Sequence, residues 1–353
     1  MYWEVEMKYP KNLTKLGTVG FAAPSFGCNT EPYKSRMEHA VERMKQWGHP
    51  VMLGPNCFLG EGIGISNTPE LCAKELTELY CSRENSVLLS CAGGELMNET
   101  IEHMDWRRLR EAKPKWFMGY SDNTNFTFLL TTLCDTAAVY GPNATSFGME
   151  PLHPSLRDAY ELLCGEITSV HNYEAFEKYE DSLTSKENPL AAYNTVNPFE
   201  PVYYDANGGK CDSLQMSGRL LGGCMDVLAN IRGTKFDRVH AFCEKYKEDG
   251  ILWFMESCEL NPMTVRRTLW AMRNSGWFRY VKGFLVGRPM LCDKNDYGLS
   301  QEEAFVSAVR ELGVPVAYGL DIGHLPPAMP IISGAVADVS CEQQSVRVDY
   351  RFQ

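Results

Sequence analysis

Over the first 140 residues, short apolar runs alternate with stretches whose apolar residues recur every three or four positions. Thr18 to Ala23 reads as a strand closed by the loop Pro24-Ser25-Phe26-Gly27. A helix with Met37, Val41 and Met44 on one face follows and ends near Gly48, and Pro50 to Leu53 is a second strand. Thr68-Pro69 marks a helix start, with threonine as the cap and proline at the first helical position. Its apolar face is Cys72, Leu76, Leu79 and Tyr80. Ser86 to Cys91 is a third strand that runs into Ala92-Gly93-Gly94-Glu95; Trp116 to Tyr120 is a fourth and Ala137 to Pro142 a fifth. Strands separated by helical patterns predict parallel β-α-β units with right-handed crossovers. In such sheets ligands sit at the carboxyl ends of the strands, where Ser25, Gly93-Gly94 and Ser121 fall.

The rhythm breaks between residues 165 and 212. That stretch is polar, aromatic and rich in turn residues, and it reads as a linker or a functional lid. Its aromatics either stack on a ligand or pack the segment onto the body. Strand and helix resume near Gly218. The run Gly218 to Leu228 reads as strand, tight turn and helix, and Gly250 to Met255 as an apolar strand ending on Glu256. After Asn261-Pro262 a helix carries Val265, Leu269 and Met272; Val281 to Val286 is a strand closed by Gly287-Arg288-Pro289. Phe305, Ala308, Val309 and Leu312 mark a further helix. Pro315 to Leu320 is a strand leading into Asp321-Ile322-Gly323-His324, and the alternating tail 336–350 predicts a closing hairpin. The chain therefore divides into an N-terminal domain over 1–164, a connection over 165–212 and a C-terminal domain over 213–353.

Composition narrows what this architecture serves. Hydrophobic content of 44% and charged content of 22% are those of a soluble globular protein. A formal charge of −11 argues against nucleic acid or an anionic membrane as partner, since both select clustered Lys and Arg. No apolar run approaches the ~20 residues of a membrane span. The acidic start Met1-Tyr2-Trp3-Glu4-Val5-Glu6 has no apolar core of a secretory signal, so the expectation is a cytoplasmic protein. None of the thirteen cysteines forms a Cys-x-x-Cys pair, and they are scattered through apolar segments as small buried hydrophobes. With no His-Glu-x-x-His and no Gly-Lys-Ser/Thr loop either, neither a metal nor a cofactor is expected.

Three residues sit just past the ends of apolar strands: Ser121, Glu256 and His324. A serine on a sharp strand-to-helix turn has the geometry of a nucleophile elbow, which lifts its hydroxyl clear of the sheet. Phe126, Leu129, Leu130 and Leu133 supply the amphipathic helix behind it. Gly119 stands where such an elbow wants a small residue, but Asn123 occupies the position of the second glycine. Acyl transfer by serine needs a base to take its proton and a carboxylate to orient that base. A glutamate after a strand, as Glu256 is, more often serves as a helix cap or an ion-pair partner. His324 lies in a loop, Gly323-His324-Leu325-Pro326-Pro327, whereas His39, His49, His103, His153, His171 and His240 read as surface residues. Gly93-Gly94 can bring bare backbone N–H close to a developing oxyanion, with the N–H of Asp122 as second donor, or can simply make a tight turn.

Ala22-Ala23-Pro24-Ser25, Ala92-Gly93-Gly94, Gly119-Tyr120-Ser121-Asp122, Gly218-Arg219-Leu220-Leu221-Gly222-Gly223, Phe254-Met255-Glu256 and Asp321-Ile322-Gly323-His324 together resemble the family of LD-carboxypeptidases and microcin C self-immunity peptidases. The resemblance runs from about residue 16 to 340. It implies an α/β fold with a flavodoxin-like parallel-sheet N-terminal domain and a smaller C-terminal swivelling β/α domain. It also implies a Ser-Glu-His triad completed where the domains meet: Ser121 as nucleophile, His324 as base, Glu256 as its orienter. Gly93, Gly94 and Asp122 would line the oxyanion and substrate site. The family resembled is cytosolic, commonly dimeric and free of cofactors, and acts on small peptides or aminoacyl-nucleotides. The loop Ala92-Gly93-Gly94-Glu95-Leu96-Met97-Asn98 and the long connection look closer to the immunity branch. That branch stacks a tryptophan of the connection on the nucleotide base; here the connection holds only Tyr173, Phe176, Tyr179, Tyr193, Phe199, Tyr203 and Tyr204. A two-domain protein that binds a small ligand without chemistry is the alternative from another class. A glutamine-amidotransferase-like domain would want cysteine at the elbow.

Overall fold

The apolar runs of the first half become strands of one sheet in the computed structural model, which describes residues 6–352; the acidic start Met1-Tyr2-Trp3-Glu4-Val5 lies outside them. Val19–Ala22, Val51–Leu53, Val87–Ser90, Trp116–Gly119 and Ala138–Tyr140 pair in parallel, with Val19–Ala22 between Val51–Leu53 and Val87–Ser90. Numbered along the chain the order is 2-1-3-4-5, the flavodoxin-like arrangement. A sixth strand, Ile331–Ser333, joins beside Ala138–Tyr140. It is three residues long and arrives from nearly two hundred residues downstream, which is why no local pattern announced it.

The predicted helix starts hold. Thr68 accepts from Leu71 N–H ahead of Pro69–Cys81, and Asn261 accepts from Thr264 N–H ahead of Pro262–Asn274. The helix behind the elbow, Thr124–Cys134, differs from its expected one-sided pattern, because ten of its eleven residues are buried. Its threonines tolerate this by bonding back to the helix: Thr127 to Asn123 O, Thr131 to Thr127 O and Thr132 to Phe128 O. His49 corrects the surface reading of the histidines. It is buried, with Nδ1 2.9 Å from Gly17 O and Nε2 2.9 Å from the Tyr160 hydroxyl.

The chain forms two compact units. The first runs to Ile167 and adds Ser182–Asn194 and Pro330–Ile332; the second comprises Thr168–Asp181, Thr195–Met329 and Ser333–Gln353. The second unit is built on a nine-stranded sheet. Its centre is parallel, in the order Ser213–Cys224, Ile251–Glu256, Val281–Gly287, Val316–Leu320. The hairpin Val336–Glu342 and Ser345–Arg351 extends it antiparallel on one side, as the alternating tail predicts. Two features differ from expectation. Ser213–Cys224 continues as strand through Gly222-Gly223 straight into the helix Met225–Ile231, without a turn. The irregular connection also contributes strands: Ser169–His171 pairs with the tail and Val202–Tyr204 with Val316–Leu320. Among the described residues no helix is long and apolar enough to cross a membrane, and no group of three or more His, Cys, Asp or Glu could hold a metal ion.

Candidate active site

Ser121 follows the strand Trp116–Gly119 and opens a single 3-10 turn before the helix Thr124–Cys134. Its φ is 66°, the left-handed region that side chains avoid. Such an outlier persists only where the surroundings over-determine it. Those surroundings are visible. A Cβ on Gly119 would meet Asn123 and Ser90 Cβ at 3.0 Å, so the position must stay bare. Asn123 is fully buried and donates from Nδ2 to Ala92 O, Tyr120 O and Asn143 Oδ1. The departure from the glycine pattern at Asn123 thus ties the elbow to the glycine loop and to the end of the fifth strand. Ser121 N–H donates to the Tyr140 hydroxyl at 3.3 Å.

Gly93 and Gly94 lie against this elbow. A Cβ on Gly93 would be 3.2 Å from both Cβ and Oγ of Ser121, and one on Gly94 would fall 1.9 Å from Ser25 Oγ and 2.8 Å from Phe26 N. Asp122 is buried, and its carboxylate accepts from the Ser25 hydroxyl, from Met97 N–H and from Asn125 Nδ2. Burial raises its pKa against these donors, which pull it down. One side chain therefore joins the loop after the first strand, the segment after the glycine loop and the elbow. Glu75 fixes the same loop from behind, accepting from Ala23 N–H and Asn56 N–H. Gly94→Ala is expected to cost about 1–3 kcal/mol through the forced shift. Activity should fall further than stability, because Ser25 cannot yield without releasing Asp122; thermal unfolding and turnover of the same preparation check this.

In the second unit Glu256 is the last residue of Ile251–Glu256, and His324 follows Val316–Leu320 by four residues. Glu256 is 1% exposed, and its Oε2 lies 2.8 Å from His324 Nδ1. This contact assigns the hydrogen to Nδ1 and leaves Nε2 as the basic nitrogen. Gly323 has φ 105°, and a Cβ there would be 2.5 Å from Glu256 Oε2, so glycine is what admits the carboxylate to the ring. Burial works against the imidazolium, but the Glu256 charge and the hydrogen bonds the ring makes to Cys258 and Glu256 outweigh it and hold His324 well above its ordinary pKa. Cys258, read from sequence as one of the structural cysteines, is thus a neighbour of the candidate base. Asp226 sets its place by accepting Cys258 N–H and Glu259 N–H.

Ser121, Asp122, Gly93 and Gly94 are therefore gathered in one unit, and Glu256 and His324 are paired in the other. A family model described as the LD-carboxypeptidase N-terminal domain matches residues 19–141, and one described as its C-terminal domain matches residues 217–339. The chain belongs to the LD-carboxypeptidase family. Members named as a probable murein peptide carboxypeptidase of Bacillus subtilis and a murein tetrapeptide carboxypeptidase of Pseudomonas aeruginosa are each 25% identical to it. The first alignment covers 96% of this chain and 94% of the relative, the second 71% and 68%. The solved structure of MccF with glutamyl sulfamoyl guanosine superposes with a TM-score of 0.78, over 97% of this chain and 98% of that one. At 18% identity that likeness speaks for the fold alone. As a member of the LD-carboxypeptidase family, the chain is a serine-type carboxypeptidase.

Proposed function

We propose that the chain cleaves the amide bond before the carboxyl-terminal residue of a small murein-type peptide, with Ser121 as nucleophile, His324 as general base and Glu256 as its orienter. The observation that carries the reading is the Glu256–His324 pair, in which Nδ1 of the part-buried ring lies 2.8 Å from the buried Glu256 carboxylate. Ser121 Oγ attacks the scissile carbonyl carbon while His324 Nε2 takes the hydroxyl proton, and the imidazolium is stabilised by Glu256. The tetrahedral oxyanion is met by the N–H groups of Gly94 and Asp122. Collapse breaks the C–N bond, and His324 returns the proton to the leaving amine. Water, deprotonated by the same imidazole, then attacks the ester and frees Ser121 and the shortened acid. No cofactor enters these steps.

The murein-peptide reading is supported by the relative that aligns over 96% of the chain. A second reading, hydrolysis of an aminoacyl-nucleotide, is favoured by the fold's match to a protein bound to glutamyl sulfamoyl guanosine. The connection weighs against it, since Phe176, Phe199, Tyr203 and Tyr204 are buried in packing and Tyr179 alone of its large aromatics is well exposed among the described residues. Purified protein offered an L,D-linked tetrapeptide and an aminoacyl-sulfamoyl nucleoside in parallel is expected to release D-alanine from the first and leave the second unchanged. Cleavage of the nucleoside alone would reverse the assignment.

A further inference from the structure

Past the end of Val281–Gly287 stands Arg288, a residue that the chemistry above does not use. It is 6% exposed and forms an ion pair with Asp321, which is 0% exposed. The guanidinium does more than neutralise that carboxylate. Nη2 donates to Leu325 O at 3.1 Å and to Pro327 O at 3.4 Å, and Nη1 donates to Gly319 O at 3.3 Å. Its plane lies over the Phe176 ring, 4.3 Å from the centroid, with Phe199 5.9 Å away. Arg288 N–H also donates to Leu320 O. The groups held are those that flank His324: the side chain three residues before it, the carbonyl directly after it and the carbonyl three residues after it.

Asp321 completes the tether on the other side. Its second oxygen accepts Tyr173 N–H at 2.6 Å, and its own carbonyl accepts Met329 N–H at 2.7 Å, closing the loop upon itself. Glu177 N–H donates to Pro326 O at 2.7 Å. The loop that presents the imidazole thus hangs from one buried ion pair, with residues 173–177 as its backing. Burial alone accounts poorly for such a pair. Two charges removed from water are seldom worth more than a well-packed apolar pair, so their presence calls for a geometric purpose. A planar fork with donors in fixed directions meets that purpose, and an ammonium cannot reproduce it.

We infer that Arg288 and Asp321 are positioning residues that set His324 against Glu256 for the proposed reaction. Neither touches the reacting atoms; each acts through the loop 321–329. The inference rests on the reading of His324 as the base, and its test separates the two.

Three variants are compared with wild type: Arg288→Lys, Asp321→Asn, and the double variant Arg288→Met with Asp321→Asn, which leaves no unpaired buried charge and keeps the fold if either single change is too damaging. Turnover of the L,D-tetrapeptide and the rate of covalent labelling by a fluorophosphonate are both read. A shift of the imidazole by about 1 Å is worth on the order of 10²-fold in rate, so kcat and labelling rate are expected to fall by about that factor while KM stays within about twofold. The acid limb of the rate profile should also move to lower pH, because a displaced His324 loses part of Glu256. A folded double variant with wild-type kcat, labelling rate and pH profile would overturn the inference while the Ser121 and His324 assignments stood. Wild-type protein that is neither labelled nor active would instead defeat the reading itself and remove the premise of this inference.

Discussion

Ser121→Ala is expected to lower turnover by on the order of 10⁴- to 10⁶-fold, the loss seen when the nucleophile of a cooperating triad is removed. The effect is this large because nothing at the elbow can substitute for the hydroxyl. Gly93 and the loop it starts supply backbone only, and the Asp122 carboxylate is occupied by the Ser25 hydroxyl, Met97 N–H and Asn125 Nδ2. A companion variant makes the interpretation firm. The left-handed φ of 66° at residue 121 is costly for any side chain and free for glycine. Ser121→Gly should therefore be as inactive as Ser121→Ala yet more stable than wild type, by about 1 kcal/mol. Denaturant unfolding of the three proteins beside their turnover checks both halves. An elbow that stores strain for function predicts opposite signs for stability and activity; a merely structural serine predicts that both fall together.

Glu256→Gln is expected to lower kcat by about 10³- to 10⁴-fold with little change in KM, since an amide no longer stabilises the imidazolium and can hold the ring in the wrong tautomer. It also carries a pH signature. Glu256 and Cys258 hold His324 above its ordinary 6.5 in spite of burial. A base acts only when unprotonated, so wild-type activity should rise with pH through a value above 6.5. Without the Glu256 charge, burial dominates and the acid limb of the residual activity should shift to lower pH. The stability linkage follows from the same direction. A histidine with a raised folded pKa adds stability that is fully present at acid pH, below its unfolded value, and is lost as pH rises through the folded one. Glu256→Gln should therefore narrow the difference in stability between pH 5 and pH 9, which thermal melts across that range would show.

What the sequence reveals and what it hides divide by distance along the chain. The elbow is legible because its causes are local: the short apolar run Trp116 to Tyr120, the bare Gly119 within it and a helical pattern directly after it. The cap at Thr68 and the helix start after Asn261-Pro262 are legible for the same reason. The pairing of Glu256 with His324 shows only as two polar residues at two strand ends, and the resemblance to LD-carboxypeptidases is what joined them. The rest is hidden because its partners are remote. Ser25 and Asp122 meet across 97 positions, and nothing beside either residue signals the bond. Arg288 sits in Gly287-Arg288-Pro289, which reads as a turn, and becomes a tether only when two strand ends place Asp321 beside it. The connection 165–212 hides its strands because they are two or three residues long, below the length at which alternation can be seen. Cys258 looks like the other twelve cysteines until the fold brings it to His324.

The proposed chemistry requires that Ser121 be a nucleophile activated by His324. It is tested most directly by treating the intact protein with a fluorophosphonate and mapping the adduct by mass spectrometry, in wild type and in His324→Ala. A single adduct is expected, on Ser121, formed far more slowly in His324→Ala. An adduct on another residue such as Cys258, or labelling of Ser121 at the same rate without His324, would contradict it.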